Sequence, residues 1–300
     1  MVLGPTATGK TTLAVQLAQA LGGEIISADS RQIYRGLDIG TGKDLNEYKT
    51  DRCTISAHLI DIMDATQDYS VFQFQQDFYT TYQDIVNRNH RPILCGGTGL
   101  YIESVLLEFA MAEVPPNREL REQFKNLPLD QLQAILLKMN PGLHNTTDLE
   151  HRNRLIRAIE IAQANSPELK PPCSVHPWLV IGVEYPREIV RRRITNRLHQ
   201  RLKEGMIAEV EGLLEKGLSF ERLHYLGLEY RFIGQHLQGE LSWNDMVQKL
   251  NIAIHQFSKR QMTFFRHMEK QGVPINWIPK GDYKQTLDLV KRTLGWQLVG

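Results

Sequence analysis

Apolar positions in the first third of the chain fall into two rhythms. Unbroken apolar runs at EIISA (24–28) and RPILCGG (91–97) have the length and composition of strands covered on both faces, and HLIDI (58–62) is a weaker third. Elsewhere apolar residues return every three or four places. Leu13, Ala14, Leu17, Ala18 and Leu21 follow a short apolar start at Val2 and Leu3, and VFQFQQDFYTTYQDIVNRN (71–89) repeats the helical spacing. Strands alternating with helices predict an α/β fold, a parallel sheet flanked by helices. From EVPPNREL (113–120) the pattern turns helical, with breaks at LPLD, NPGLHNTTD and SPELKPP, until WLVIGVEYP (178–186) again reads as a strand. Proline pairs at 115–116 and 171–172 punctuate both edges. Residues 115–176 are therefore expected to form a helical insertion domain in an α/β core made of 1–114 and 177–300.

Two later stretches are helical and basic. In PREIVRRRITNRLHQRLKEG (186–205), Val190, Ile194, Leu198 and Leu202 make a stripe to be buried, and Arg193, Arg197 and Arg201 make a second stripe beside it. Glu188 is the only acid between Arg187 and Lys203, so an anion is the expected partner of that face. In MVQKLNIAIHQFSKRQMTFFRHMEK (246–270), Lys259, Arg260 and Arg266 are interleaved with Phe264, Phe265 and His267. That mixture suits bases and phosphates, and aromatics at helical spacing equally suit a core.

Bulk properties narrow the class. Three hundred residues, 42% of them hydrophobic, suffice for one large domain or two modest ones. No run approaches the roughly 20 apolar residues of a membrane span, and no leader pattern opens the chain, so a cytoplasmic protein with no membrane partner is expected. Cys53, Cys95 and Cys173 are far apart and include no Cys-x-x-Cys pair, which argues against a disulfide framework or a zinc site. The net charge of +1 conceals −6 over residues 1–114 and +7 over the remainder, an asymmetry expected where one region handles a polyanion.

GPTATGKT (4–11) fits the phosphate-loop pattern G-x-x-x-x-G-K-[ST] between an apolar start and a helix. Its backbone, from Gly4 through Thr6, Ala7, Thr8 and Gly9, would wrap a diphosphate, Lys10 would add a point charge, and the Thr11 hydroxyl would ligand Mg2+. Only three residues precede Gly4, so a natural start upstream of Met1 is expected. Sheet topology would gather this loop, Asp29 and GGTG (96–99) at one crevice. Several chemistries share such a loop. A GTP switch is disfavoured because no Asn-Lys-x-Asp occurs. A small-molecule kinase stays open, with Asp29 or Asp61 on magnesium and Arg152, Arg154 and Arg157 as a lid, as does a non-catalytic RNA-binding NTPase module.

The combination of GPTATGKT with DSRQIYRGLDIGTGK (29–43), GGTGLYI (96–102), RLIRAIEI (154–161), GLEYR (227–231) and RQMTFFR (260–266) resembles the tRNA dimethylallyltransferase family, with the motifs in the family's order. The resemblance implies a phosphate-loop NTPase-like fold. It also implies transfer of the prenyl group of dimethylallyl diphosphate to N6 of the adenosine beside the tRNA anticodon, at position 37, with Mg2+ assisting. In such an enzyme Asp29 would be the general base and Thr98 would orient the amine. Gly4 to Thr11 would hold the leaving diphosphate, helped by Arg193 or Arg197. Ser30, Arg31 and Gln32 would meet the adenine edge. Arg152, Arg154 and Arg157 would clamp the anticodon stem-loop, the alternative for Arg154 and Arg157 being ion pairs with Glu150 or Glu160. Gly227, Tyr230 and Arg231 match a further tRNA-contacting stretch, and a monomer is expected. Asp44 replaces the family's proline, His151 stands where asparagine is common, and no Cys/His finger follows residue 266. A related adenylate isopentenyltransferase, acting on a free nucleotide, is the alternative; it would need neither the basic half nor the insertion.

Overall fold

The computed structural model describes residues 1–139, 151–164 and 166–298, so the NPGLHNTTD break and Glu150 lie outside the described residues. The chain divides into two units, one of Met1–Glu108 with Pro172–Gly300 and one of Phe109–Pro171.

A six-stranded, wholly parallel sheet organises the first unit: β1 Val2–Leu3, β2 Gly23–Ala28, β3 Ala57–His58, β4 Arg91–Gly96, β5 Val180–Glu184 and β6 Ile275–Pro279, in the order β3-β2-β4-β1-β5-β6. One face carries α1 (Lys10–Leu21) and α12 (Tyr283–Leu294), whose Leu13, Leu17, Leu21 and Val290 pack on Ile25, Ile93 and Ile181. The other face carries α2 (Val71–Asn87) and α3 (Gly99–Leu106), with Phe74 and Tyr101 stacked at 4.1 Å over Ile26 and Leu94. Five helices extend that layer: α7 (Arg187–Lys203), α8 (Met206–Glu215), α9 (Phe220–Leu226), α10 (Leu228–Leu237) and α11 (Trp243–Lys270). Burial on both sides explains why the strands read as unbroken apolar runs.

HLIDI is strand only at His58. Leu59 and Asp61 adopt positive φ of 59° and 56°, and the Asp61 N–H turns to donate to Gln32 O at 3.1 Å. That geometry ends the strand, because a left-handed residue breaks the ladder.

Topology fixes where a ligand sits. β1 is followed by α1 and then β2, on one side of it; β4 is followed by the route to β5, on the other. The adjacent strands β1 and β4 therefore have successors in opposite directions, and a crevice opens between their carboxyl ends.

At the opposite end of the sheet the Glu24 carboxylate, with a side chain 4% exposed, is surrounded by His58 at 2.6 Å, Arg88 and His90. Hydrogen bonds from Arg88 first, and from His58 and His90, outweigh burial and hold the carboxyl at about 2. A folded value so far below the ordinary carboxylate range stabilises the fold above that range and loses its effect as pH falls toward 2. Glu24→Gln is expected to cost about 2 kcal/mol at neutral pH. Urea midpoints should show the deficit at pH 7 and little of it near pH 2; a pH-independent deficit would mean that shape, not charge, holds the cluster.

The second unit contains α4 (Arg118–Phe124), α5 (Leu129–Met139) and α6 (Arg152–Ala164) around Leu120, Phe124, Leu132, Leu136, Leu155 and Ile159. Its buried Glu160 accepts from Arg121 at 2.7 Å, Arg157 at 3.0 Å and the Asn117 N–H at 3.0 Å. Burial alone would raise this carboxyl, but those bonds prevail and lower it.

Candidate active site

The loop between β1 and α1 is built for close backbone approach. A Cβ on Gly4 would lie 3.0 Å from Val183 O, Ala7 and Gly9 take φ of 65° and 79°, and the Thr8 hydroxyl closes the turn by donating to Pro5 O at 2.8 Å. Gly9 caps α1 without a side chain, so no capping group occupies the first N–H groups of the helix, which Lys10 and Thr11 open. Burial lowers the Lys10 pKa, opposed in part by Cys95 and Asp29, which places the ammonium near both.

Two strand ends face this loop. Asp29 follows β2, and its Oδ1 accepts from the Arg31 N–H at 2.9 Å and the Gln32 N–H at 3.4 Å, leaving Oδ2 without a hydrogen-bond partner among the described residues. Thr98 follows β4; its Oγ1 accepts from the Ser30 N–H at 3.0 Å and donates to Ser30 Oγ at 3.4 Å. The two ends are held tightly together: a Cβ on Gly96 would lie 2.2 Å from Ala28 O.

Cations converge from α7. The stripe of Val190, Ile194 and Leu198 is buried, which turns Arg197 and Arg201 toward the site. Arg197 donates from Nη2 to the Thr6 hydroxyl, and burial, then the neighbouring Arg201, lowers it to about 10. Arg201 lies over Gly42, where a Cβ would meet its guanidinium at 1.6 Å. Arg193 instead stacks on the Tyr185 ring at 4.1 Å, so Arg197 is the one of the two predicted arginines that touches the phosphate loop.

The GLDIGTGK loop forms the remaining wall. Glu209 accepts from the N–H groups of Asp38, Ile39 and Gly40 at 3.0, 2.6 and 3.0 Å and from the Tyr230 hydroxyl at 2.8 Å. The buried Lys43 donates to Tyr34 O at 2.9 Å, Asp38 at 2.7 Å and Asp61, while Gln32 Nε2 donates to Gly42 O at 3.3 Å. Asp44, the departure from the family's proline, accepts from the Asn46 N–H and caps a short 3-10 helix, Leu45–Tyr48.

Comparison with known proteins bears directly on this arrangement. A model of the IPP transferase family matches residues 32–268. The chain belongs to that family. Two relatives are the tRNA dimethylallyltransferase 1 of Syntrophus aciditrophicus, 50% identical over 98% of this chain and 97% of its own length, and the tRNA dimethylallyltransferase 2 of Syntrophotalea carbinolica, 52% identical over 93% of each. Among solved structures, the tRNA isopentenylpyrophosphate transferase of Bacillus halodurans superposes with a TM-score of 0.69 at 29% identity, covering 98% of this chain and 94% of its own. A eukaryotic dimethylallyltransferase acting on tRNA shares the fold, with a TM-score of 0.77 at 19% identity over 100% of this chain and 80% of its own. The protein is thus a transferase of this family on a phosphate-loop parallel sheet.

Placement of the other predicted residues is uneven. Tyr230 is 1% exposed, and its hydroxyl donates to Glu209, the carboxylate that holds the 38–40 loop. Arg152 donates to the carbonyls of Phe124, Lys125 and Leu127, and Arg157 to Glu160 and Val114 O, so these two guanidiniums tie the second unit together. Arg154 is the exposed member of that set, Arg231 stacks on Phe232 at 4.5 Å, and Gly227 caps α10 with a φ of 151°. Phe265 lies in the core with 0% exposure, and Phe264 rests against Gly99. Gln261 and Glu209 join the site although the sequence assigns neither of them a role there, the one available signal being the RQMTFFR motif for Gln261; Arg201 belongs to the basic stripe expected to face an anion. Arg31 and Arg222 both lie over the exposed Tyr225 ring, at 5.2 and 4.8 Å.

Proposed function

We propose that this protein transfers the dimethylallyl group of dimethylallyl diphosphate to N6 of the adenosine beside the tRNA anticodon, position 37. The observation that carries the reading is the position of Asp29 and Thr98 at strand ends that flank a phosphate loop. One side of the crevice offers a carboxylate with an unpartnered oxygen, and the other offers N–H groups and cations. An exocyclic amine needs the first, because its lone pair is delocalised into the ring until its proton leaves.

In this mechanism N6 attacks C1 of the prenyl group, the C–N bond forms as the C–O bond breaks, and the N6 proton passes to Asp29 Oδ2. The diphosphate departs against the α1 N-terminus, Lys10 and Arg197, whose charges oppose the negative charge accumulating on the leaving oxygen. Thr98 and Ser30 hold the acceptor edge. Mg2+ suits the chemistry of these donors: among the described residues the Thr11 hydroxyl makes no hydrogen bond, and no three carboxylate, histidine or cysteine side chains converge to cage a metal. An ion sharing Thr11 with the substrate phosphates would retain waters, as magnesium prefers, and would neutralise diphosphate charge.

A base must leave the stacked anticodon loop to reach a crevice of this kind, and single-stranded loops are where RNA bases are read by their edges. The Ser30–Gln32 segment, the exposed Arg154 of the second unit and the basic half of the chain supply that contact. A monomer in the cytoplasm completes the proposal; among the described residues no helix is long and apolar enough to cross a membrane. The test is incubation with labelled dimethylallyl diphosphate and tRNA, AMP or ATP. Label on N6 of adenosine 37 is expected. Prenylated AMP with untouched tRNA would instead establish the adenylate enzyme, and ATP hydrolysis without transfer would remove prenyl chemistry altogether.

A further inference from the structure

One side chain from the far end of the sequence joins the two loops that must cooperate. Gln261, on α11 and 8% exposed, accepts at Oε1 from the Thr6 N–H at 2.8 Å and donates from Nε2 to Gly97 O at 2.9 Å. Thr6 belongs to the loop after β1 and Gly97 to the loop after β4, one residue before Thr98. The fit leaves no slack. A Cβ on Gly97 would lie 2.5 Å from Nε2 of this amide and 3.5 Å from Gly4 O. Three residues along the same helix, the Phe264 ring occupies the place where a Gly99 side chain would be, 2.2 Å from that Cβ. Residues three apart share a helix face. Glutamine alone among side chains of this length offers an acceptor and a donor of fixed separation, as a backbone N–H on one side and a carbonyl on the other require.

We propose that Gln261 is a positioning residue that sets the separation of the leaving-group loop from the loop carrying Thr98. It touches neither reacting atom. The inference rests on the proposed reading that the first loop holds diphosphate and the second the amine. Displacement transfer is sensitive to that separation, because reacting atoms about 3–3.5 Å apart are needed and an error near 1 Å costs about a hundredfold. The consequence of a loosened strut is specific: displacement by N6 slows, while displacement by water, which needs no such alignment, takes a larger share of the prenyl group.

Two variants test this. Gln261→Met keeps the length and loses both bonds; Gln261→Glu keeps an acceptor for Thr6 and sets a carboxylate oxygen against Gly97 O. Ser258→Ala, a buried position one turn earlier, is the control for a merely structural loss. Steady-state assays with dimethylallyl diphosphate and tRNA should show kcat lowered roughly 10- to 100-fold for both Gln261 variants, with both KM values within about threefold. The ratio of released prenyl alcohol to prenylated tRNA should rise, and it should stay at the wild-type value in Ser258→Ala. Unchanged kcat and partition in a folded Gln261→Met protein would overturn the proposal. A raised KM for the diphosphate alone would also overturn it, by reducing Gln261 to part of the donor loop. If wild-type protein fails to prenylate tRNA at all, the reading of function fails instead, and the two failures are distinct.

Discussion

Replacing Asp29 by asparagine is expected to leave a folded protein that binds tRNA as before and transfers the prenyl group about 10²- to 10⁴-fold more slowly. The Asp29→Asn amide would keep an oxygen where Oδ1 accepts from the Arg31 and Gln32 N–H groups, so the turn after β2 survives. What disappears is the second oxygen, the one with no partner among the described residues, and with it the proton acceptor. Single-turnover rates with saturating tRNA, set beside tRNA affinity measured without the diphosphate, separate the two roles. A loss of affinity as large as the loss of rate would make Asp29 a binding residue. Asp29→Ala should be slower still, because it also frees the Arg31 and Gln32 amides and loosens the turn after β2.

Lys10→Met gives the second large effect and a change of sign between two measurements. Removing one preorganised charge from the departing diphosphate should lower kcat about 10²- to 10³-fold. Thermal unfolding of the free protein should move the other way. Burial depresses the Lys10 pKa, so the folded state holds that ammonium less favourably than the unfolded chain does. The penalty is complete below the folded pKa and fades as pH rises toward the value of a free lysine. Methionine removes it, and at neutral pH the free variant should melt higher than wild type. Saturating diphosphate should then raise the wild-type melting temperature more than that of the variant. A lower melting temperature for the free variant would show that the ammonium is well compensated at rest, and the site would then carry no trade between stability and function.

Much of this site could be read before the fold was known, for a physical reason. Phosphate loops and strand-end motifs are local: Gly4, Gly9, Lys10 and Thr11 act through backbone geometry within eight residues, and Asp29 and Thr98 follow strands whose apolar runs announce them. The residues that brace those loops act across the chain. Gln261 bonds to Thr6 over a separation of 255 residues and Glu209 to Ile39 over 170, and no spacing rule relates such pairs. Polar type does not announce internal partners. The Tyr230 hydroxyl donates to Glu209 and Arg152 to the carbonyls of Phe124, Lys125 and Leu127, neither of which the sequence pattern gives, whereas the Arg157 bond to Glu160 is one of the alternatives that it leaves open. Leu59 and Asp61 lie in a weaker strand-like run that turns out of the sheet because Lys43 and Gln32 hold the turn.

Helix α7 places Val190, Ile194 and Leu198 in the core and Arg197 and Arg201 over the crevice, so its register matters more than its composition. Losing one residue near the middle would rotate everything beyond it by about 100° while leaving a helix of equal quality. Arg197 and Arg201 would swing away from Thr6 and Gly42, and charged side chains would turn toward the core. Length variation is therefore barred in this segment. Substitutions along its outer edge, at Arg187, Glu188, Arg192, Asn196 and Gln200, are free to drift, and inherited change in α7 should consist of exchanges rather than insertions or deletions.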